Sequence, residues 1–270
     1  MTIFQSIFLG ILQGVAEFLP ISSSGHLIVA QKLFDLNEVP LIFDVLLHLA
    51  TLFAVLLVFR KKITSLFASL WRFVTKNTTE DDAQNLSMIV AILVASFITG
   101  VFGIIIGKII PDLPIQIVFC GFLITSALLI FSSIMSKKQK EQNKGFQKIT
   151  IKQGLFVGLI QGIGVLPGIS RSGSTISATL FCGIDRSTAG EFSFLLSIPA
   201  IIGAFILEAK DLTILSQTVS PLPLFIGCSV AFVSGLLSLK FLLKLIKKGK
   251  LEYFAFYLIP LAVLGLIFIN

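Results

Sequence analysis

The chain has 270 residues, of which 55% are hydrophobic and only 13% are charged, whereas soluble domains carry roughly 25% charged residues. This balance excludes an ordinary soluble protein and predicts an integral membrane protein. The net charge of +7 does not indicate nucleic-acid binding, because the basic excess lies between apolar segments, and the three cysteines lie within apolar segments, which excludes a secreted disulfide scaffold.

The chain opens with an apolar region, residues 3–36, that is interrupted by the polar stretch 20–26. A second apolar region, residues 153–183, is interrupted in the same way at 167–174. A break rich in Gly, Pro and Ser leaves backbone groups that lipid cannot hydrogen-bond, so it is tolerated only within protein or beside a wet cavity. Each region therefore predicts a re-entrant helix–loop–helix.

Six further apolar segments are long enough, or nearly so, to cross a hydrocarbon core about 30 Å thick. They cover residues 41–59, 87–109, 115–135, 192–208, 222–243 and 252–269. Most of the 21 Lys and Arg residues fall in the regions 60–85, 136–152 and 240–250. Six spans place these three regions on one side, which the positive-inside rule makes cytoplasmic, and place the loops near 110–114 and 209–221 outside.

The two broken regions also repeat each other. Residues 10–14 match residues 158–162, and residues 22–25 match residues 170–173, both at an offset of 148. Chance similarity of turns rich in Gly and Ser is the alternative, but three spans follow each copy, and an odd number inverts the second. We therefore predict an all-α polytopic membrane protein with six transmembrane helices and two re-entrant regions. It would form a single membrane domain, 1–270, with inverted-topology repeats at about 1–135 and 149–270.

The broken regions hold the ionisable residues of greatest interest. Glu17 lies at membrane depth, where a carboxylate is costly and is by default a functional candidate; the alternative is a structural ion pair with Arg171. The guanidinium of Arg171 presents a fork that matches phosphate oxygens. Because the loops 22–25 and 170–174 each precede a returning helix, whose free N–H groups attract anions, we predict a phosphate cradle there. The alternative is that the serines only cap the helices.

Reactive groups are sparse near this cradle. His26 beside Ser23 and Glu17 would complete a nucleophile–base–carboxylate set. A hard divalent cation, Mg or Ca, would suit Glu17 together with a diphosphate, with Gln13 as a further oxygen ligand on the same helix face. Attack by water instead of Ser23 stays open.

Three other polar residues have less defined roles. His48 falls in an apolar span and is more typical of a satisfied buried polar residue than of a catalytic one. Asp44 and Glu191 each begin a predicted span of their repeat. Either residue would suit the rim of the cradle or a solvated helix start.

Two motifs resemble the signatures of the undecaprenyl-diphosphatase family of the bacitracin-resistance type. Residues 13–26 read QGVAEFLPISSSGH, and residues 167–175 read PGISRSGST, which matches Pro-Gly-x-Ser-Arg-Ser-x-x-Thr at every specified position. The resemblance covers the whole chain. It implies hydrolysis of undecaprenyl diphosphate to undecaprenyl phosphate and phosphate, which recycles the lipid carrier for peptidoglycan synthesis and confers bacitracin resistance. It also implies a bacterial inner (plasma) membrane protein, with the active site expected towards the outer face.

The resemblance also implies which residues matter. They are Glu17, Ser23, His26, Ser170, Arg171 and Thr175. Gln13 stands where the family often has Glu, so a scheme with two carboxylates there does not carry over. The diphosphate contacts expected from the cradle and the resemblance together are Ser22, Ser24, Gly25, Ser170, Arg171, Ser172, Gly173 and Thr175. Ser177 stands where phosphatases of the phosphatidic-acid type need a second His, which excludes that class.

Two functions therefore compete at the level of sequence. The first is the diphosphatase, and the second is a lipid-phosphate transporter or flippase that uses the same inverted-repeat site. The expected partners are the membrane-lipid substrate undecaprenyl diphosphate and the bilayer, without nucleic acid. A homodimer is an assembly that the sequence leaves open.

Overall fold

The computed structural model describes residues 1–36, 39–109, 114–141 and 148–269. Within these ranges the chain forms α-helices, one short 3-10 helix (Ala209–Asp211) and no strand, which confirms the predicted all-helical class. The α-helices, in chain order, are α1 (Ile3–Phe18), α2 (Ser23–Leu33), α3 (Leu41–Val58), α4 (Arg60–Val74), α5 (Asp82–Ile109), α6 (Ile115–Glu141), α7 (Ile151–Ile163), α8 (Arg171–Phe181), α9 (Arg186–Glu208), α10 (Leu212–Thr218), α11 (Pro221–Lys248) and α12 (Glu252–Phe268).

Five helical segments in the described part of the chain are long and apolar enough to cross a membrane. These are Leu41–Val58, Asp82–Ile106, Ile115–Lys137, Arg186–Thr218 and Pro221–Lys248. They coincide with five of the six predicted spans. The sixth prediction, 252–269, corresponds to α12, which has 17 residues and belongs with α1 and α7 among the shorter apolar helices.

Two regions predicted as loops contain separate helices, and most of a third, 240–250, is the end of α11. The basic region 60–85 holds α4, and the region 209–221 holds α10. A search for uniformly apolar runs misses α4, because basic and polar residues interrupt its apolar residues, which recur at helical spacing. Of the other predicted loops, residues 110–113 and 142–147 lie outside the described residues.

The breaks in the two interrupted regions are placed earlier than predicted. Ser22 and Ser170 are the N-cap residues of α2 and α8, and their hydroxyls accept hydrogen bonds from the backbone N–H groups of Gly25 (3.4 Å) and Gly173 (3.0 Å). Since a capping serine starts a helix at the next residue, 23–26 and 171–174 form first helical turns and not loops. The hydroxyls and N–H groups of these turns are thereby held in a fixed arrangement.

The two interrupted regions also begin alike. Thr2 with Gln5 and Thr150 with Gln153 both form capping boxes, at the same offset of 148 that relates the motifs. Helix α1 packs against α11, and α7 packs against α5. Glycines permit both contacts, since a Cβ at Gly10 would lie 2.5 Å from the carbonyl oxygen of Gly227, and one at Gly158 would lie 2.7 Å from the Cα of Ala95.

The starts of α2 and α8 meet inside the protein. The Ser172 hydroxyl donates to the carbonyl oxygen of Phe18, at the end of α1, over 3.3 Å. A Cβ at Gly173 would lie 3.2 Å from the Cβ of Pro20, and one at Gly25 would lie 3.0 Å from the Cα of Gly168. The fold therefore brings together two motifs that are far apart in sequence.

Candidate active site

Glu17 is the centre of the polar cluster where the two motifs meet. Its side chain is 4% exposed, and its oxygen Oε2 accepts hydrogen bonds from the Ser23 hydroxyl (2.7 Å) and the Gln13 amide (3.2 Å). The other oxygen, Oε1, pairs with the guanidinium of Arg171. A buried carboxylate needs such partners, because an unpaired charge would be strongly destabilising. The structure thus brings together Glu17, Ser23 and Arg171, as the two motifs predicted.

His48 is the imidazole that reaches this cluster. Its Nδ1 lies 2.7 Å from the carbonyl oxygen of Asp44, which can only accept, so Nδ1 carries a hydrogen. Its Nε2 then points to Glu17 Oε2 at 3.2 Å and to Ser23 Oγ at 3.4 Å. We expected His48 to be a satisfied buried polar residue, and the structure instead places it against the candidate nucleophile and the carboxylate.

His26 has different neighbours. Its Nδ1 lies 2.8 Å from the Ser22 carbonyl oxygen, and its Nε2 lies 2.9 Å from the Tyr257 hydroxyl. The ring also stacks on Tyr257 with centroids 5.7 Å apart and contacts Phe122 at 4.9 Å. Both nitrogens are therefore engaged by other groups, and the set of Ser23, imidazole and Glu17 that we expected from His26 is formed with His48.

Ser22, the N-cap of α2, has an uncommon backbone conformation. Its φ is 70°, in the left-handed region, which costs about 1–3 kcal/mol for a residue other than glycine. The residue is held by several bonds at once: its hydroxyl caps α2, and its carbonyl oxygen accepts from both the backbone N–H and the ring of His26. Strain of this kind concentrates at functional sites, where the surroundings determine it.

The other expected cradle residues in the first motif are Ser24 and Gly25. Ser24 is partly buried, and Gly25 is buried beside α6, where a Cβ would lie 2.6 Å from the ring of Phe122. Only glycine fits without movement of that ring. The first turn of α2 therefore packs closely against α6 and presents its N–H groups at a defined position.

The second motif supplies Arg171 and several buried hydroxyls. Ser170 Oγ lies 3.3 Å from Ser172 Oγ, and the Ser170 backbone N–H donates to Thr125. Thr175 is fully buried, and its hydroxyl contacts Ser193 on α9 and the backbone of Arg171. The hydroxyls of this motif thus hold the start of α8 in place around Arg171.

Asp44 and Glu191 have separate surroundings. Asp44 is buried, accepts a hydrogen bond of 2.7 Å from the Gln31 amide, and touches the site through its carbonyl oxygen, which orients His48. Glu191 forms an ion pair of 2.9 Å with Lys62 of α4. Asp44 therefore supports the cluster, whereas Glu191 links α9 to α4.

One oxygen atom beside Glu17, the carbonyl oxygen of Gln13, is of the type that binds a hard divalent cation. Gln13 donates its amide nitrogen to Glu17, and its carbonyl oxygen is buried without a hydrogen-bond partner. Within the described ranges no group of three or more His, Cys, Asp or Glu side chains could hold a metal. Both oxygens of Glu17 already have partners, so the free carbonyl oxygen of Gln13 is the feature of this cluster that suits a cation.

The arrangement has the parts that phosphoryl transfer requires. It has a hydroxyl whose hydrogen bond points at a carboxylate, an arginine for phosphate oxygens, and the N-termini of α2 and α8. The side chains of Arg171 and His48 keep 19% and 22% exposure, so the cluster is accessible at these two residues. Ser23 itself is buried, and its Oγ lies 3.4 Å from His48 Nε2.

Comparison with known proteins decides the family. Residues 6–264 match the model of the family described as Bacitracin resistance protein BacA. The chain belongs to the BacA family. This confirms the resemblance that the two motifs indicated, over nearly the full length of the chain.

Three relatives of this BacA-family chain carry the same name. A protein named undecaprenyl-diphosphatase from Treponema denticola is 54% identical over 266 residues, which cover 98% of this chain and 97% of the relative. Proteins of the same name from Borrelia recurrentis and Desulforapulum autotrophicum are 37% and 39% identical, each with 95% of both chains covered. Each of these matches extends over nearly the whole chain.

Proposed function

We propose that this BacA-family protein hydrolyses undecaprenyl diphosphate to undecaprenyl phosphate and inorganic phosphate. The observation that carries the proposal is the contact of the Ser23 hydroxyl with Glu17 (2.7 Å), beside an arginine suited to phosphate oxygens. The names of the full-length relatives supply the substrate. In a bacterial plasma membrane this reaction recycles the lipid carrier for peptidoglycan synthesis and opposes bacitracin, which binds the diphosphate.

The proposed reaction proceeds through a phosphoserine. Ser23 Oγ attacks the terminal phosphorus and transfers its proton to Glu17, while the bond between that phosphorus and the bridging oxygen breaks. Undecaprenyl phosphate leaves as a stable anion. Water then attacks the phosphoserine, and Glu17 returns the proton to Ser23 Oγ as the bond between that oxygen and phosphorus breaks and phosphate is released. Arg171 and the N-terminal N–H groups of α2 and α8 stabilise the charge on the equatorial oxygens.

A divalent cation completes the proposed site. Glu17 would either take the proton, as above, or hold the cation together with the free carbonyl oxygen of Gln13. When bound, the cation neutralises part of the diphosphate charge. The residues of the chain position the nucleophile and the phosphate around it.

The proposed membrane arrangement has α12 as a sixth span, and α1–α2 and α7–α8 as re-entrant pairs in inverted repeats. The matching capping boxes, the matching N-cap serines and the equivalent packing of α1 on α11 and α7 on α5 support this arrangement. The site would open towards the outer face. In a variant without native cysteines, Ser220→Cys should then react with an impermeant thiol reagent from outside, and Asn77→Cys should not. The reverse labelling would refute this orientation.

An assay of phosphate release by purified protein distinguishes hydrolysis from transport. Purified protein in detergent should release phosphate from a long-chain prenyl diphosphate, and a chelator should lower the rate. Neither the family description nor the names of the relatives supports the transporter alternative. Absence of phosphate release from folded protein with added Mg²⁺ or Ca²⁺ would refute the proposal.

A further inference from the structure

Helix α4 carries an apolar face that the described part of the chain leaves uncovered. Phe67, Trp71 and Val74 are 68%, 69% and 66% exposed. They are spaced by four and three residues and therefore lie along one side of the helix. Leu70 adds further exposed apolar surface beside them. We call these four residues the α4 apolar face.

The opposite side of α4 is anchored by polar contacts to the start of α5. Asp82 is buried and accepts hydrogen bonds from the Ser69 hydroxyl (2.6 Å) and from Arg72 Nε (2.9 Å). The Asn85 amide donates to Ser65 and Ser69, each over 2.9 Å. These contacts determine the rotation of α4 about its axis, so the outward direction of its apolar face is a fixed property of the fold.

This arrangement is the reverse of that of a surface helix in water, where the apolar side faces the protein. The position of α4 indicates what covers it. Helix α3, a candidate membrane span, ends at Val58, and α4 begins at Arg60. The helix therefore starts where a span leaves the hydrocarbon. Trp71, the only tryptophan of the chain, is of the residue type that favours the membrane–water interface.

The charges around α4 suit anionic lipid. Arg60 and Lys61 in its first turn and Lys76 after its end are exposed. We infer that α4 lies in the interface of the bilayer, inserts the α4 apolar face below the headgroups, and binds the phosphates of anionic lipids through these basic residues. Amphipathic helices with Trp, Phe and basic residues bind bilayers in this manner.

The single tryptophan makes the inference directly testable. The purified full-length protein is reconstituted in phospholipid vesicles that contain lipid brominated either near the headgroup end or near the methyl end of the acyl chain. Trp71 fluorescence should be quenched more by the shallow bromines and only weakly by acrylamide in the water. As a reference, Leu237→Trp in a Trp71→Phe background places tryptophan on an exposed position within the α11 span, where the deep bromines should quench more.

Lipid preference is measured with the same probe. At equal mole fraction, brominated phosphatidylglycerol should quench Trp71 more than brominated phosphatidylcholine. Combined Arg60→Gln and Lys61→Gln substitutions should reduce this preference, by at most about fivefold per charge, since each basic residue near an anionic surface contributes about 1 kcal/mol. Lys210→Gln, an exposed lysine after α9, serves as the matched control and should leave the preference unchanged.

Three results would overturn the inference. Strong acrylamide quenching with little effect of either brominated lipid would show that α4 faces water. Protection from acrylamide and from both lipids would show that protein, such as a second copy of the chain, covers Trp71. Equal quenching by the two headgroup classes would refute the binding of anionic lipid. Because none of these readouts uses enzyme activity, they are independent of the proposed hydrolysis.

Discussion

Replacement of Arg171 by lysine separates the two roles that this residue could have. The guanidinium contacts Glu17 through Nη2, which leaves its other N–H groups for phosphate oxygens. Lysine keeps the positive charge beside Glu17 but presents a point charge without the planar fork. If Arg171 stabilises the transferring phosphoryl group, Arg171→Lys should fold normally and lose most of its turnover.

The expected decrease in kcat follows from the number of hydrogen-bond donors to phosphate that the substitution removes. Removal of one preorganised donor to a developing oxyanion costs about 2.7–4 kcal/mol, which corresponds to about a 100- to 1,000-fold decrease in kcat. The stability cost should be small by comparison, because an ammonium still pairs with the buried carboxylate.

Phosphate release by purified protein in detergent measures this effect, with thermal unfolding recorded on the same samples. Arg186→Lys is the matched control, since Arg186 is also partly buried and bonds a serine, Ser136, through Nη2 (3.0 Å). The control should retain its turnover. Turnover near that of the wild type in Arg171→Lys would show that Arg171 serves only as the ion-pair partner of Glu17.

Three further substitutions test the site and its packing. Ser23→Ala should lower kcat by about 10⁴-fold or more if Ser23 is the nucleophile. Rapid quenching of wild-type protein with substrate labelled in the terminal phosphate should then trap label on the peptide that contains Ser23. Substantial activity of Ser23→Ala without trapped label in the wild type would favour attack by water. His48→Leu removes the contact with the Glu17 carboxylate and should lower kcat by about 10- to 100-fold. His48→Gln, which can still donate a hydrogen bond, should have a smaller decrease in kcat. Equal rates for both variants would contradict a hydrogen-bonding role of His48. Gly25→Ala should lower the free energy of unfolding by about 1–3 kcal/mol, because the new Cβ would lie 2.6 Å from the Phe122 ring. Gly103→Ala is the control and should not lower it, because no atom lies within 4 Å of its new Cβ. Similar thermal unfolding of the two variants would refute the packing argument.

Properties that depend on neighbouring residues were predictable from the sequence. Apolar runs identified five spans, because the hydrocarbon thickness sets a minimum length for a helix. The serines and glycines of the two breaks identified helix starts, although the helices begin earlier than expected because Ser22 and Ser170 themselves are the caps. Helix α4 was missed because its apolar residues follow the helical period without forming a continuous run.

The sequence by itself thus determined a chain of membrane-span type with two interrupted apolar regions, one with the carboxylate of Glu17 and the other with Arg171. Only the tertiary structure decided which histidine meets them. His26 and His48 each bond a backbone carbonyl four residues earlier through Nδ1, so local structure treats them alike. Their Nε2 atoms reach Tyr257 and Glu17, respectively. The direction of each ring depends on the rotation and packing of α2 and α3 against other helices. Contacts between residues that are distant in sequence set that rotation, so no local pattern in the sequence predicts it.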